Sequence, residues 1–190
     1  MIKNPGGGLA PAGGYITGSR ELVEQAAFHI TAPGLGKELG ASLQSNRLLY
    51  QGLFLAPHVV VQALKGACLL AYCFEKCGYE LFPRWDEARG DIVQAIKLNT
   101  IEEVQNFCQI VQSSSPVDSN VKLEFAPMPG YTDKIITAAG TFVQGSSIEL
   151  SCDAPLRKPY CAYIQGGLTY EHYRYTVIKL LESLVFNVNS

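Results

Sequence analysis

The sequence has no C-x-x-C pair, no excess of basic residues and no long apolar run free of polar interruption. Its six cysteines are Cys68, Cys73, Cys77, Cys108, Cys152 and Cys161, spaced unlike a zinc site. The three closest fall in an apolar helical stretch, so the set reads as reduced thiols packed as small hydrophobes, with no metal and a cytoplasmic setting expected. A formal charge of −2 leaves no cationic footprint to neutralise phosphates, which argues against nucleic acid as a partner. The longest apolar stretch, Leu48 to Phe74, is interrupted by Gln51, His58, Gln62, Lys65 and Tyr72, with Lys76 just beyond. From His58 onward these polar groups fall mainly at three- and four-residue steps, forming one stripe. A single polar stripe describes a largely buried helix of a globular protein rather than a membrane span, with Pro57 kinking it or starting its second part.

What is present supports a globular chain of 190 residues, 47% of them apolar, enough to form one large domain or two small ones. Residues Lys3 to Gly14 read as a loop leading into a short strand at Tyr15 to Thr17. Ser19 caps a helix from Arg20 to Ile30, with Glu21 in its first turn. A loop rich in glycine and proline follows, then the long helix, which Gly78 ends. Strand character resumes at Tyr79 to Pro83, placing a domain boundary at Gly78 and dividing the chain into 1–78 and 79–190.

Beyond the boundary, Ile92 to Leu98 suits a strand, and Thr100 with Glu103 forms a capping box for a helix whose apolar face is Val104, Phe107, Cys108 and Val111. Val121 to Phe125 and the stretch from Ile135 to Ser151, broken at Gly140 or Gly145, read as strands. Tyr160 to Gln165 adds another, before a last helix from Tyr170 to Phe186 that packs through Val177, Leu180, Leu181 and Leu184. This rhythm predicts an α/β to α+β fold with helices covering a small sheet. His29 and His58 lie in helices and His172 at a helix start, where packing or surface roles are expected.

Lys3 runs into Asn4-Pro5-Gly6-Gly7-Gly8, where glycines let a ligand approach the backbone closely and their amides can cradle phosphate. A chain-reversing turn after a solvated terminal lysine explains the same residues equally well. The wider segment from Lys3 to Ile16 resembles the one that carries the cofactor lysine in methionine gamma-lyase-like proteins, also called aluminium resistance proteins. Further blocks resemble that family in the same order: Thr31 to Gly40, Gln51 to His58, Ser115 to Asp118, Phe142 to Ser151 and Tyr163 to His172.

The resemblance implies a fold-type-I enzyme dependent on pyridoxal 5'-phosphate, related to cystathionine beta-lyase, that cleaves carbon–sulfur bonds of sulfur amino acids by beta- or gamma-elimination. It implies that Lys3 is the catalytic lysine, that Lys3 with Gly6, Gly7 and Gly8 meets the cofactor, and that full-length forms are homo-oligomers. It also implies that this chain is the carboxy-terminal half of such a protein. Residues 1–78 would then end the cofactor domain with an interdomain helix, and 79–190 would form the small domain. The substrate carboxylate requires a cation, for which Arg157 is the candidate and Arg84 the rival. Tyr15, Gln144, Ser146 and Glu149 are candidates for the pocket wall, with strand packing as the alternative. Without the region that supplies the acid partner and ring stacker of the cofactor, the chain alone is expected to be inactive. The alternative from another class is a non-catalytic remnant or an interaction or assembly subunit.

Overall fold

The computed structural model describes residues 9–10, 16–31, 33–36, 38, 45–142 and 148–186. They divide into two compact units, Met1–Ala56 and Pro57–Ser190.

In the first unit, helix α1 (Arg20–Ile30) starts where Ser19 Oγ accepts the Leu22 amide and ends with Thr31 donating its amide to the Ala27 carbonyl. Phe28 packs over Gly36 in the loop that follows. Ile16 and Thr17 are exposed and form no strand, while Tyr15 lies outside the described residues. Helix α2 (Asn46–Lys76) runs through Pro57 without ending, and its opening turns belong to this unit. They differ from the expected buried helix: Tyr50, Leu53 and Phe54 are exposed, the last at 83%. By length and composition α2 is apolar enough to cross a membrane.

The second unit uses the rest of α2 as a core helix. Val59, Ala63, Ala67, Leu70, Ala71 and Phe74 recur at helical spacing and are buried, whereas His58, Lys65, Tyr72 and Lys76 lie exposed on the other side. Gly78, at φ +87°, closes the helix in a left-handed conformation that a side chain would strain. Strand β1 (Glu80–Phe82) follows, then β2 (Gln94–Lys97), helix α3 (Ile101–Ser113), β3 (Ile135–Ala138), β4 (Ser151–Pro155), β5 (Cys161–Gln165) and helix α4 (Tyr170–Leu184).

The five strands form one sheet in the order β1-β2-β5-β4-β3, antiparallel throughout, so the mixed fold takes its α+β form. Helix α3 carries the chain from β2 to the far edge, and the β3-β4-β5 meander returns it to lie beside β2. Both late helices are capped as local chemistry dictates. Thr100 Oγ1 accepts the Glu103 amide at 3.1 Å, and Thr169 Oγ1 accepts that of His172 at 3.3 Å. The Glu103 carboxylate reaches past the cap residue to the Asn99 amide, a variant of the expected box.

The helices cover one face of the sheet. Leu81, Ile96, Ile136, Leu150, Cys152, Ala162 and Ile164 meet Val104, Phe107, Cys108 and Val111 of α3 and Tyr173, Val177 and Leu180 of α4 in a single core. Burial on this scale is the main stabilising term for a small domain. Gln94, the polar group on that face, is satisfied, because its Nε2 donates to the carbonyls of Pro83 and Ala95.

Two strand expectations change in the second unit. Val121 to Phe125 is not a strand: Gln109 of α3 donates to the Val121 carbonyl and accepts from the Leu123 amide, so a side chain takes the groups a ladder would use. Only a single bridge, Ala126 to Ile135, reaches the sheet edge. In the stretch from Ile135 to Ser151, the second strand begins where the expected one ends and continues to Pro155. Proline is tolerated there because the ladder to β5 stops at Asp153.

Candidate functional site

The second face of the sheet carries a cleft of about 580 Å³. Its floor follows from the two-residue alternation of strands, which turns Thr137, Asp153 and Tyr163 to the side away from the helices, next to one another across β3, β4 and β5. Ser151 and Gln165, paired across β4 and β5, continue the floor.

A turn builds one wall. In Met128-Pro129-Gly130-Tyr131 the Tyr131 amide donates to the Met128 carbonyl at 3.1 Å, with Pro129 second and Gly130 third at φ +87°. This is the chemistry of a type II turn, in which the third position requires a left-handed backbone. It sets Met128 and Tyr131 beside the cleft.

Arg157 is placed by the strand pair beneath it. The Leu156 amide donates to the Lys134 carbonyl at 2.7 Å, extending the β3–β4 pairing beyond Ile135 and Pro155. Arg157 therefore comes opposite Asp133, and its Nη1 lies 3.7 Å from Asp133 Oδ2. Arg157 is largely exposed and lines the cleft with Asp133 and Asp153. A guanidinium in that position can take a carboxylate through two parallel N–H donors.

The rival, Arg84, is elsewhere and already engaged, with Nη2 at 2.8 Å and Nε at 3.4 Å from the Glu75 carboxylate. Glu149 is described but does not line the cleft; its Oε2 is buried with no hydrogen-bond partner among the described residues. Lys3, Gly6, Gly7, Gly8, Tyr15, Gln144 and Ser146 lie outside the described residues. His172 Nε2 is 2.7 Å from the Ser114 carbonyl, a packing role, and His29 and His58 are exposed on helices. Sequence reading missed Tyr131, Asp133, Asp153 and Tyr163. The Pro-Gly pair could have flagged the turn and alternation could have flagged the floor, but their convergence depends on strands far apart in the chain.

Known proteins give this geometry a context. A Clostridium acetobutylicum protein provisionally named a cystathionine beta-lyase involved in aluminum resistance superposes with a TM-score of 0.85 at 49% identity, covering 97% of this chain and 42% of its own. A carbon-sulfur lyase involved in aluminum resistance from Clostridium novyi NT does so with a TM-score of 0.83 at 47% identity, covering 97% and 43%. Uncharacterised YnbB of Bacillus subtilis is 50% identical over 97% of this chain and 44% of its own length. An uncharacterised protein of Lactobacillus delbrueckii subsp. bulgaricus is 50% identical over the whole chain and 62% of its own. The chain thus spans about half the length of these relatives. The family model for methionine gamma-lyase matches residues 1–185, and the chain belongs to that family.

Proposed function

We propose that this chain is part of a pyridoxal-phosphate-dependent carbon–sulfur lyase that acts on sulfur-containing amino acids by beta- or gamma-elimination. The observation that carries the reading is the family match along residues 1–185, in a chain whose solved relatives include a carbon-sulfur lyase. Among the described residues the cleft on the open sheet face offers a cation, two carboxylates and two phenols. It fits a charged substrate end, while attachment of the cofactor is assigned to Lys3 on the family resemblance of its segment.

When bound, the cofactor draws electron density from the substrate alpha carbon, so that a sulfur group one or two carbons away can leave. Lys3 holds the cofactor through its Nζ and, once released, uses the same nitrogen to move the proton of the alpha carbon. The backbone amides of Gly6, Gly7 and Gly8 bind the cofactor phosphate. Arg157 anchors a substrate carboxylate, and Tyr15 and Gln144 line the approach. In this reading the working form is a homo-oligomer that includes the region of the relatives lying outside this chain.

The test is intact-mass measurement of the chain after incubation with pyridoxal phosphate and borohydride reduction, with peptide mapping and Lys3→Ala in parallel. One adduct at Lys3, absent from the variant, is the expected result. Scattered labelling of other lysines, or no adduct, would count against Lys3 as the cofactor residue.

A further inference from the structure

The six cysteines are free thiols in unequal settings. Cys77 is exposed and Cys68, Cys73 and Cys161 are half-buried, whereas Cys108 and Cys152 are fully buried in the core of the second unit. Those two also meet: Cys108 of α3 and Cys152 of β4, 44 positions apart in the chain, bring their sulfurs to 3.8 Å. Cys152 stands in the interior of the sheet, between Ala138 of β3 and Ile164 of β5, and α3 lies over it. A disulfide bond is about 2 Å long, so bonding asks each sulfur to move only about 1 Å toward the other. While the domain stays closed the reaction has no start. The reactive form is the thiolate, and burial, reinforced by the Cys108 sulfur, keeps the Cys152 thiol protonated well above its ordinary 9.0. Oxidation therefore waits on a local opening that lifts α3 from β4 and admits water.

We infer that Cys108 and Cys152 are a latch: a peroxide that reaches them during such an opening converts them to a disulfide that fastens α3 to β4. One thiol gives up its proton and its sulfur attacks the peroxide, forming an S–O bond and breaking the O–O bond. The leaving hydroxide takes up that proton as water. The second sulfur attacks the sulfenic acid so formed, making the S–S bond, and the S–O oxygen departs as a second water with the proton of the attacking thiol. Two thiols are thus oxidised by two electrons in all, and the peroxide is reduced to two waters. Once made, the bond opposes the motion that admitted the oxidant. A reductant then meets sulfurs that seldom reach the surface, so the latch opens far more slowly than an exposed disulfide would.

The experiment exposes the full folded chain to hydrogen peroxide, alkylates the remaining thiols in urea and maps the peptides without reduction. The expected product is a peptide pair joined through Cys108 and Cys152, formed equally well in Cys77→Ser, which removes the most exposed thiol as a relay. The oxidised chain should have a higher urea midpoint, and dithiothreitol should cleave the link at least about tenfold more slowly in buffer than in unfolding urea. Recovery of both cysteines as alkylated peptides after Cys77 has been oxidised would overturn the inference. So would sulfinic or sulfonic acid at either position without the link, or equal rates of reduction in the folded and unfolded chain. These readouts need neither cofactor nor Lys3, so they stand or fall apart from the lyase reading.

Discussion

Gly66 of α2 faces the ring of Tyr173 from α4 so closely that a Cβ built on it would lie 2.2 Å from two ring carbons. The only side chain compatible with that approach is a hydrogen, even though alanine is the better helix former. Steric overlap outweighs propensity here, because Tyr173 is fully buried and has no solvent side to swing toward. Gly66→Ala should therefore lower stability by about 3 kcal/mol, the upper range for overpacking a core, as read from the urea midpoint of the purified chain. A loss below about 0.5 kcal/mol would mean that α2 and α4 separate easily and that their contact is not tight. The same scale explains why Arg157 stands out in the sequence and its cleft neighbours do not. An arginine in a proline-bounded loop is conspicuous by itself, whereas Asp133 acquires meaning only when β3 and β4 pair and bring it opposite.

Elements governed by local chemistry were legible from residues alone. Helix α1 begins where its serine cap and first-turn glutamate indicate, and α3 starts just after its Thr100 cap and buries the four apolar residues its spacing selects. Misreadings arose where distant groups decide. Residues 121–125 have strand-like composition, but Gln109 reaches across from α3 and claims the Val121 carbonyl and the Leu123 amide at 2.9 Å each. Strand β4 was placed too early because Asp153 and Pro155 look like loop residues until the short β5 ladder makes room for them. The opening turns of α2 have the composition of a buried helix yet are exposed within their unit, and nothing in composition tells those cases apart. Replacing Gln109 with leucine should remove both hydrogen bonds and cost about 1–2 kcal/mol. Hydrogen exchange supplies a local check: the Leu123 amide should lose protection while those of β3 and β5 keep theirs. Unchanged protection at Leu123 would show that the segment is held by other contacts.

For the molecule as a whole, two buried acids are expected to weaken the fold at alkaline pH. Burial pushes the Cys152 thiol well above its ordinary 9.0, reinforced by the Cys108 sulfur 3.8 Å away, and burial pushes the Tyr173 phenol above its ordinary 10.0, reinforced by Cys152. Both folded values exceed the unfolded ones, so the folded state holds protons that the unfolded chain releases. Their contribution is complete below the unfolded values and is lost as pH rises past about 9 for the thiol and about 10 for the phenol, at up to about 1.4 kcal/mol per pH unit for each group. Urea midpoints should accordingly hold between pH 7 and 8 and fall steeply toward pH 10.5, with Cys152→Ala and Tyr173→Phe each flattening the decline; identical slopes in all three proteins would exclude these groups as the cause. The one-sided sheet has a further consequence that the numbering itself displays. Through β2 to β5, even positions such as 94, 96, 136, 152 and 164 point into the core, and odd ones such as 137, 151, 153, 163 and 165 point to the opposite face. Parity thus divides hereditary labour: mutation at odd positions can explore new ligands while even positions preserve the fold, so this scaffold can diversify in chemistry without first giving up its architecture.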